Sequence, residues 1–373
     1  MAVKVLLIGN GTFQNKTLNK NHSLRAIAND LRLMHFLLTW RFGVSEKHII
    51  TIGKQGMATK KDIRAGLAQL TDLVQTNDTV VVYYTGHGHR VANPSRRAGA
   101  ELNLYGFVPF DVAFANKPEE LRAEDLFLAR ELQSSLKELQ NQKKPLTQFV
   151  ILDCCFSGGF KAVPVPVSVV EEEDVGWNAE LVNKSMVVEP ADSTFSFVAS
   201  ELATARPYTL LAACEPLQRT QELRIIQGSD KFAISRFTRT LFRVLCDRPD
   251  VVDLYSLQRL ITLRLRVLRE QQTPVLALAQ GTPRLGADPL FIGVPNAKWR
   301  SKERRFPLTP EKLLAVGRLG GVGIGSQLLL SNAEVLTISE PDQVGWFETR
   351  LNYPEVAKLS KQGYMVAING PLK

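Results

Sequence analysis

Cysteine is scarce in this chain and long apolar runs are missing. Four cysteines occur in 373 residues, two adjacent and two far away, which is not a small secreted disulfide framework and points to a reducing compartment. There is no C-x-x-C pair, so zinc sites of that kind are excluded. No segment approaches the roughly 20 apolar residues of a membrane span. The opening "MAVKVLLIGN" has too short an apolar run, and no small-residue cleavage site, for a secretory signal. The expectation is a soluble, cytoplasmic protein with no membrane partner. Tandem repeats, low-complexity tracts and acidic loops with calcium-ligand spacing are also lacking.

What is present is a chain 45% hydrophobic, enough for one large core or a core with a small satellite domain. The net charge of +9 raises the question of a phosphate-bearing partner. The densest basic clusters are "KWRSKERR" (298–305) and the series Arg259, Arg264, Arg266 and Arg269. Neither is interleaved with aromatics as a strand-stacking groove would be, so nucleic acid is not the expected partner.

Hydropathy patterning alternates between strand and helix. "KVLLIGNGTF" reads as a buried first strand, "HIITI" as a second, "DTVVVYYTGHGHR" as a third and "QFVILDCC" as a fourth. Between them "SLRAIANDLRLMHFLLTW" predicts a helix capped by Ser23, and "TKKDIRAGLAQLTDLV" one capped by Thr59 with Ile63, Leu67 and Leu70 on one face. "AEDLFLARELQSSLKELQ" is a further amphipathic helix. "YTLLAACE" reads as a strand, and "SRFTRTLFRVL" and "SLQRLITLRLRVLRE" as helices. This order implies an α/β fold with a mostly parallel central sheet flanked by helices on both faces. Residues 161–197 break the rhythm with prolines and the acidic run "EEED", and read as a long mobile loop. A basic, proline-containing stretch near residue 295 reads as a boundary. The chain thus divides into 1–295, made of 1–160, a 161–200 linker and 201–295, followed by a small C-terminal unit, 296–373, of uncertain fold.

Working residues in open parallel sheets gather beyond the carboxyl ends of the strands. Two such ends are unusual here, "YYTGHGHR" and "ILDCCFSGG". If the two strands are neighbours, His87 and Cys155 face one another. A thiol with an ordinary pKa near 8.5 attacks slowly at neutral pH unless a base favours the thiolate. Histidine supplies that base and then an acid for the leaving amine. The backbone N–H groups of Gly88 and Cys155 are placed to hold a developing oxyanion. Strand alternation puts Asp153 and Cys155 on one side and Cys154 on the other, so Cys154 reads as a small core residue. The same alternation argues against a metal held by Cys154, Cys155, His87 and His89, and no metal site is expected.

At these residues the chain resembles the caspase-like cysteine peptidases of the metacaspase and bacterial orthocaspase branch. The motifs are "YYTGHG", with Thr85 in place of the family's serine, and "DCCFSGG", in the family's His-then-Cys order. Weaker similarities are "AIANDLRLM", "ATKKDIRAGL", "LAACEPLQRTQE" and "FAISRFTRTL". The resemblance implies a caspase-haemoglobinase fold and an endopeptidase cutting protein substrates after Arg or Lys, with no resident cofactor. Calcium activates some metacaspases, but no site for it is evident here. The substrate cation would be received by Asp153, Asp30 and Thr85. The family's usual aspartate after the small-subunit cysteine is replaced by Glu215, Pro216 and Leu217, a departure for which Glu215 or Glu222 would compensate. Family members are commonly cut between their two subunits, which marks Lys161 and Lys184 as processing candidates and an activating protease or regulatory protein as a partner.

Each residue also has a plainer reading. Asp153 would only cap a turn, Asp30 would be a solvated helix acid, His89 an exposed loop histidine, and Cys214 and Cys246 inert core thiols. The competing reading of the whole chain is a catalytically inactive caspase-like scaffold acting through protein interactions.

Overall fold

The structure is a computed structural model describing residues 2–94, 103–112, 117–154, 165–166, 178–183, 207–214, 218, 220–227, 230–247, 253–267, 272–277, 279, 304–307, 313–314, 326–329, 335–338, 349–351 and 365–369. In chain order the first elements are β1 (Val3–Asn10), α1 (Lys16–His22), α2 (Ile27–Phe36), β2 (Ile49–Ile52), α3 (Lys60–Leu73) and β3 (Thr79–Gly86). Then come β4 (Gly88–Ala92), β5 (Asn103–Phe107), β6 (Phe127–Leu128), α4 (Ala129–Lys143) and β7 (Thr147–Asp153). After β8 (Val165–Pro166) and β9 (Asn178–Asn183) follow β10 (Thr209–Ala212), β11 (Gln221–Gln227), β12 (Asp230–Ser235), α5 (Arg236–Asp247), α6 (Leu254–Val267) and β13 (Val275–Ala277).

Six strands form the central sheet in the order β13-β10-β7-β3-β1-β2. All neighbours are parallel except β13, which runs antiparallel to β10. Both faces are covered, and the alternation of side chains along each strand assigns every residue to one of two cores. Leu6, Ile8, Val80, Val82, Tyr84, Val150 and Leu152 pack with Ile63, Leu67 and Leu70 of α3 and with Leu132, Leu136 and Leu139 of α4. Val5, Leu7, Val81, Tyr83, Phe149 and Ile151 pack on the opposite face with α2, α5 and α6. Thr59 caps α3 as its position implies: its hydroxyl accepts from the Asp62 N–H at 3.0 Å, and the Asp62 carboxylate accepts from the Thr59 N–H at 3.0 Å.

Ser23 does not cap α2. It closes α1 instead, its N–H donating to Asn19 O, and α2 begins at Ile27 after Ala26, which has no side-chain cap. The linker is also not unstructured throughout. Within it β8 and β9 pair antiparallel, and β9 adds to β11 in a second sheet of order β12-β11-β9-β8. Pro166 sits in β8, the outermost strand, where a missing N–H is tolerated. The expectation failed because β9 finds its hydrogen-bond partner some forty residues away rather than in its own segment.

Toward the C-terminus, β14 (Arg304–Pro307), β15 (Leu313–Leu314), β16 (Gln327–Leu329), β17 (Val335–Thr337), β18 (Thr349–Arg350) and β19 (Met365–Asn369) form a four-stranded sheet, β14-β19-β16-β17, and a separate β15/β18 pair. Leu328, Ile338 and Leu351 are buried in the same apolar cluster as Leu241 of α5 and Ile261 of α6. The boundary expected near residue 295 lies outside the described residues.

Candidate active site

β3 and β7 are adjacent and pair in register up to Thr85 opposite Asp153. His87 follows β3 immediately, and its side chain is buried against the ring of Phe13, centroid to centroid 5.7 Å. Its Nε2 lies 2.6 Å from the carbonyl of His22, the last residue of α1. Helix ends leave carbonyls without intrahelical partners, and this one takes up the imidazole. A carbonyl only accepts, so Nε2 carries the proton, and in neutral His87 the lone pair stands on Nδ1.

The backbone beneath is held as well. The His87 carbonyl accepts from Tyr84 Oη at 2.9 Å and from the Val108 N–H at 3.1 Å. Asn10, paired with Gly86 in the β1–β3 register, donates through Nδ2 to Val108 O. Gly86 is required by proximity: a Cβ there would lie 2.6 Å from Tyr84 Oη. Gly88 opens β4 directly after His87, opposite Phe107.

On the α2 and α5 side of the same strand ends lies a buried polar network. Asp30 is wholly buried and not a solvated acid. Its Oδ2 accepts from Thr85 Oγ1 at 2.7 Å and its Oδ1 from the Ser235 N–H at 2.7 Å. Asp153, also wholly buried, accepts from Thr220 Oγ1 at 3.0 Å and from Thr238 Oγ1 at 2.6 Å. Its carboxylate bonds side chains across 67 and 85 residues of sequence, which a turn cap would not do. Thr238 gives its proton to Asp153, and Tyr83 in turn donates to Thr238 Oγ1, 2.6 Å away. Burial, and then the charges of Asp30 and Asp153, hold the Tyr83 phenol protonated well above its ordinary range.

Glu222 is fully buried but faces elsewhere. Its Oε2 accepts from the N–H groups of Arg25 and Ala26, both at 2.8 Å, and its Oε1 pairs with Arg224 Nε. It bonds the backbone just ahead of α2. His89 departs from expectation too. It is 4% exposed, its Nδ1 has no hydrogen-bond partner among the described residues, and burial followed by the Arg90 charge lowers its pKa to about 4. It lies on β4 opposite Gly106 of β5, and alternation along the motif carried no signal of its burial. Cys154 is a core residue at 1% exposure, packed with Val150 and Leu152, and Cys214 and Cys246 are buried thiols. Cys155, Glu215, Lys161 and Lys184 lie outside the described residues. Among the described residues no group of three or more His, Cys, Asp or Glu is arranged to hold a metal ion, and no helix is long and apolar enough to cross a membrane.

Sequence reasoning missed Tyr83, Thr220, Thr238, Ser235 and the His22 carbonyl. The only signal was the tyrosine hydroxyl in an otherwise apolar buried strand, which had to find a partner.

A parallel sheet between helix layers, with a carbonyl-anchored histidine and a buried acid at adjacent strand ends, defines the caspase-like class of α/β domain. The chain belongs to the caspase-domain family of cysteine peptidases (peptidase C14), whose profile matches residues 2–281. It is 30% identical over 163 residues to metacaspase-6 of Arabidopsis thaliana, an alignment covering 43% of this chain and 39% of that protein. Against metacaspase-4 of the same plant it is 30% identical over 141 residues, covering 36% and 30%. The chain thus spans well under half the length of these relatives. A crystal structure of a Geobacter sulfurreducens protein is similar at 14% identity, with TM-score 0.47 over 77% of this chain and 97% of that one.

Proposed function

We propose that this protein is an endopeptidase that cleaves polypeptides after arginine or lysine, with Cys155 as nucleophile and His87 as base. The observation that supports it most is the register of β3 and β7. Thr85 pairs with Asp153, and His87 and Cys155 each follow two residues later in sequence. Neighbouring strands lie about 4.8 Å apart, and two residues of chain reach no further than about 7 Å, so the two groups are tethered within a short radius. Side-chain parity supports the choice of sulfur, since Cys154 belongs to the α3 and α4 core while Asp153 faces α5.

In this reading the Nδ1 lone pair of His87 takes the Cys155 thiol proton, and the His22 carbonyl stabilises the imidazolium through Nε2–H. The thiolate attacks the scissile carbonyl, and the N–H groups of Gly88 and Cys155 receive the oxyanion. Nδ1–H then protonates the leaving amine, and water hydrolyses the acyl-enzyme with His87 again as base. Asp30 and Asp153 provide the negative field for the substrate cation in a protein of net charge +9, with Thr85, bonded to Asp30, lining the same pocket. Residues 1–295 form the peptidase domain, working in the cytoplasm on protein substrates. Cleavage in the 161–200 linker at Lys161 or Lys184, by the protein itself or an activating protease, matures it.

The test is hydrolysis of a fluorogenic Arg peptide by wild type, Cys155→Ala and Cys154→Ala. The expected result is a loss of roughly 1,000-fold or more in Cys155→Ala and near wild-type turnover in Cys154→Ala. Activity that survives in Cys155→Ala but not in Cys154→Ala reverses the assignment. A folded wild type with no cleavage of Arg or Lys peptides overturns the reading in favour of an inactive scaffold.

A further inference from the structure

We infer that Glu222, with Arg224, is a positioning residue for the base: it holds the α1–α2 connection so that the His22 carbonyl fixes the His87 imidazole. The inference rests on the peptidase reading of His87 and goes beyond it by assigning a role to a carboxylate nearly 200 residues away in sequence.

The connection from His22 to Ala26 is five residues long. His22 O accepts from His87 Nε2 at one end. Ser23 O accepts from Arg224 Nη2 at 3.1 Å, and the N–H groups of Arg25 and Ala26 both donate to Glu222 Oε2. Between them the Leu24 N–H donates to Gly11 O at 2.7 Å. Every other residue of the connection is therefore fixed, most of them by two side chains of β11. The clamp is internally braced, because Glu222 Oε1 is held by Arg224 Nε. A fully buried carboxylate with its charge answered by a guanidinium and two backbone N–H groups is a rigid device, and replacing it leaves donors facing donors. The orientation of His87 depends on it because the Nε2–H acceptor is a backbone carbonyl, whose position is set only by how that backbone is held.

This reading and the substrate-acid role expected for Glu222 make opposite kinetic predictions. An acid touching the substrate's Arg changes KM and the preference for basic residues. A positioning residue changes kcat with little effect on KM. In Glu222→Gln the side-chain amide meets either Arg224 or the two N–H groups with a donor, so the connection loosens while the volume is kept.

The decisive measurement is NMR of the histidine side chains in 15N-histidine-labelled protein, with His87→Ala giving the assignment, beside steady-state hydrolysis of an Arg peptide. In wild type the buried, carbonyl-bonded Nε2 proton of His87 exchanges slowly with water. In Glu222→Gln that signal broadens or disappears, kcat falls by roughly tenfold or more, and KM stays within about twofold. Arg224→Lys, which keeps the charge but gives up the Ser23 carbonyl, shows the same changes to a smaller extent and serves if Glu222→Gln does not fold. An unaltered His87 signal in either folded variant overturns the inference, and so does a rise in KM at constant kcat. The NMR arm decides it even if wild type cleaves nothing, an outcome that would sink the peptidase reading alone.

Discussion

Thr85 and Thr238 each give one hydroxyl proton to a buried carboxylate, and that single bond decides what they tolerate. Thr238 also accepts from Tyr83. Thr238→Val, which keeps the shape, leaves Asp153 short of a donor and removes one of the hydroxyl partners of Tyr83. A buried group left without its partner costs about 1–3 kcal/mol. We expect urea unfolding of Thr238→Val to show a loss in that range, with an unchanged m-value. Thr85→Val should lose a comparable amount through Asp30, whereas Thr85→Ser retains the hydroxyl and stays near wild type. A Thr238→Val protein as stable as wild type would mean that the Tyr83–Thr238–Asp153 chain does not exist in solution. The acids themselves, Asp30 and Asp153, were legible from the motifs they stand in. Their hydroxyl partners were not, because threonine in a helix such as "SRFTRTLFRVL" looks like any other helix residue until the sheet is folded beneath it.

Among the elements, most with a local hydropathy period were read correctly, but "AEDLFLARELQSSLKELQ" is helical only from Ala129, its Phe127–Leu128 forming β6, and "DTVVVYYTGHGHR" is split into β3 and β4 in different sheets; elements that depend on a remote partner were not read. Thr59 was legible because its capping partner, Asp62, is three residues away. Ser23 misled because a hydroxyl before an apolar helix has the form of an N-cap, while the real closure of α2 comes from Glu222, 196 residues beyond Ala26. β9 and β11 went unread for the same reason, since each supplies the other's hydrogen bonds. Their pairing predicts how a nicked chain behaves. A cut after Lys184 leaves β9 on the N-terminal piece and β11 on the C-terminal piece, still paired from Asn183–Gln221 to Asn178–Ile226. β10 also remains bonded to β7 within the central sheet. Limited trypsin digestion confined to the linker should yield two fragments that co-elute in gel filtration and part only in denaturant. Fragments that separate natively would show that these strand pairs do not hold the halves together.

At the scale of the whole molecule, stability depends on pH through the buried histidine on β4. His89 titrates near 6.5 when unfolded but at about 4 when folded, because burial and then Arg90 disfavour its charged form. The folded-state value is the lower one, so the unfolded chain binds the extra proton between those limits and unfolding is favoured as pH falls. The stabilisation is complete above about pH 6.5 and is lost progressively down to about pH 4, amounting to roughly 3 kcal/mol for this one group. His22, lowered chiefly by burial, and His48, lowered chiefly by desolvation, act in the same direction. Glu131 is held below its ordinary range through its bonds to Arg64 and Leu128, so its own loss of stabilisation falls below about pH 4.5 and outside this window. Thermal unfolding followed between pH 4.5 and 7.5 should therefore show Tm falling on the acid side with a slope that His89→Gln reduces by about one proton, whatever that substitution does to stability at pH 7.5. Parallel Tm curves for wild type and His89→Gln would mean that the β4 imidazole reaches water in the folded protein, contrary to its burial.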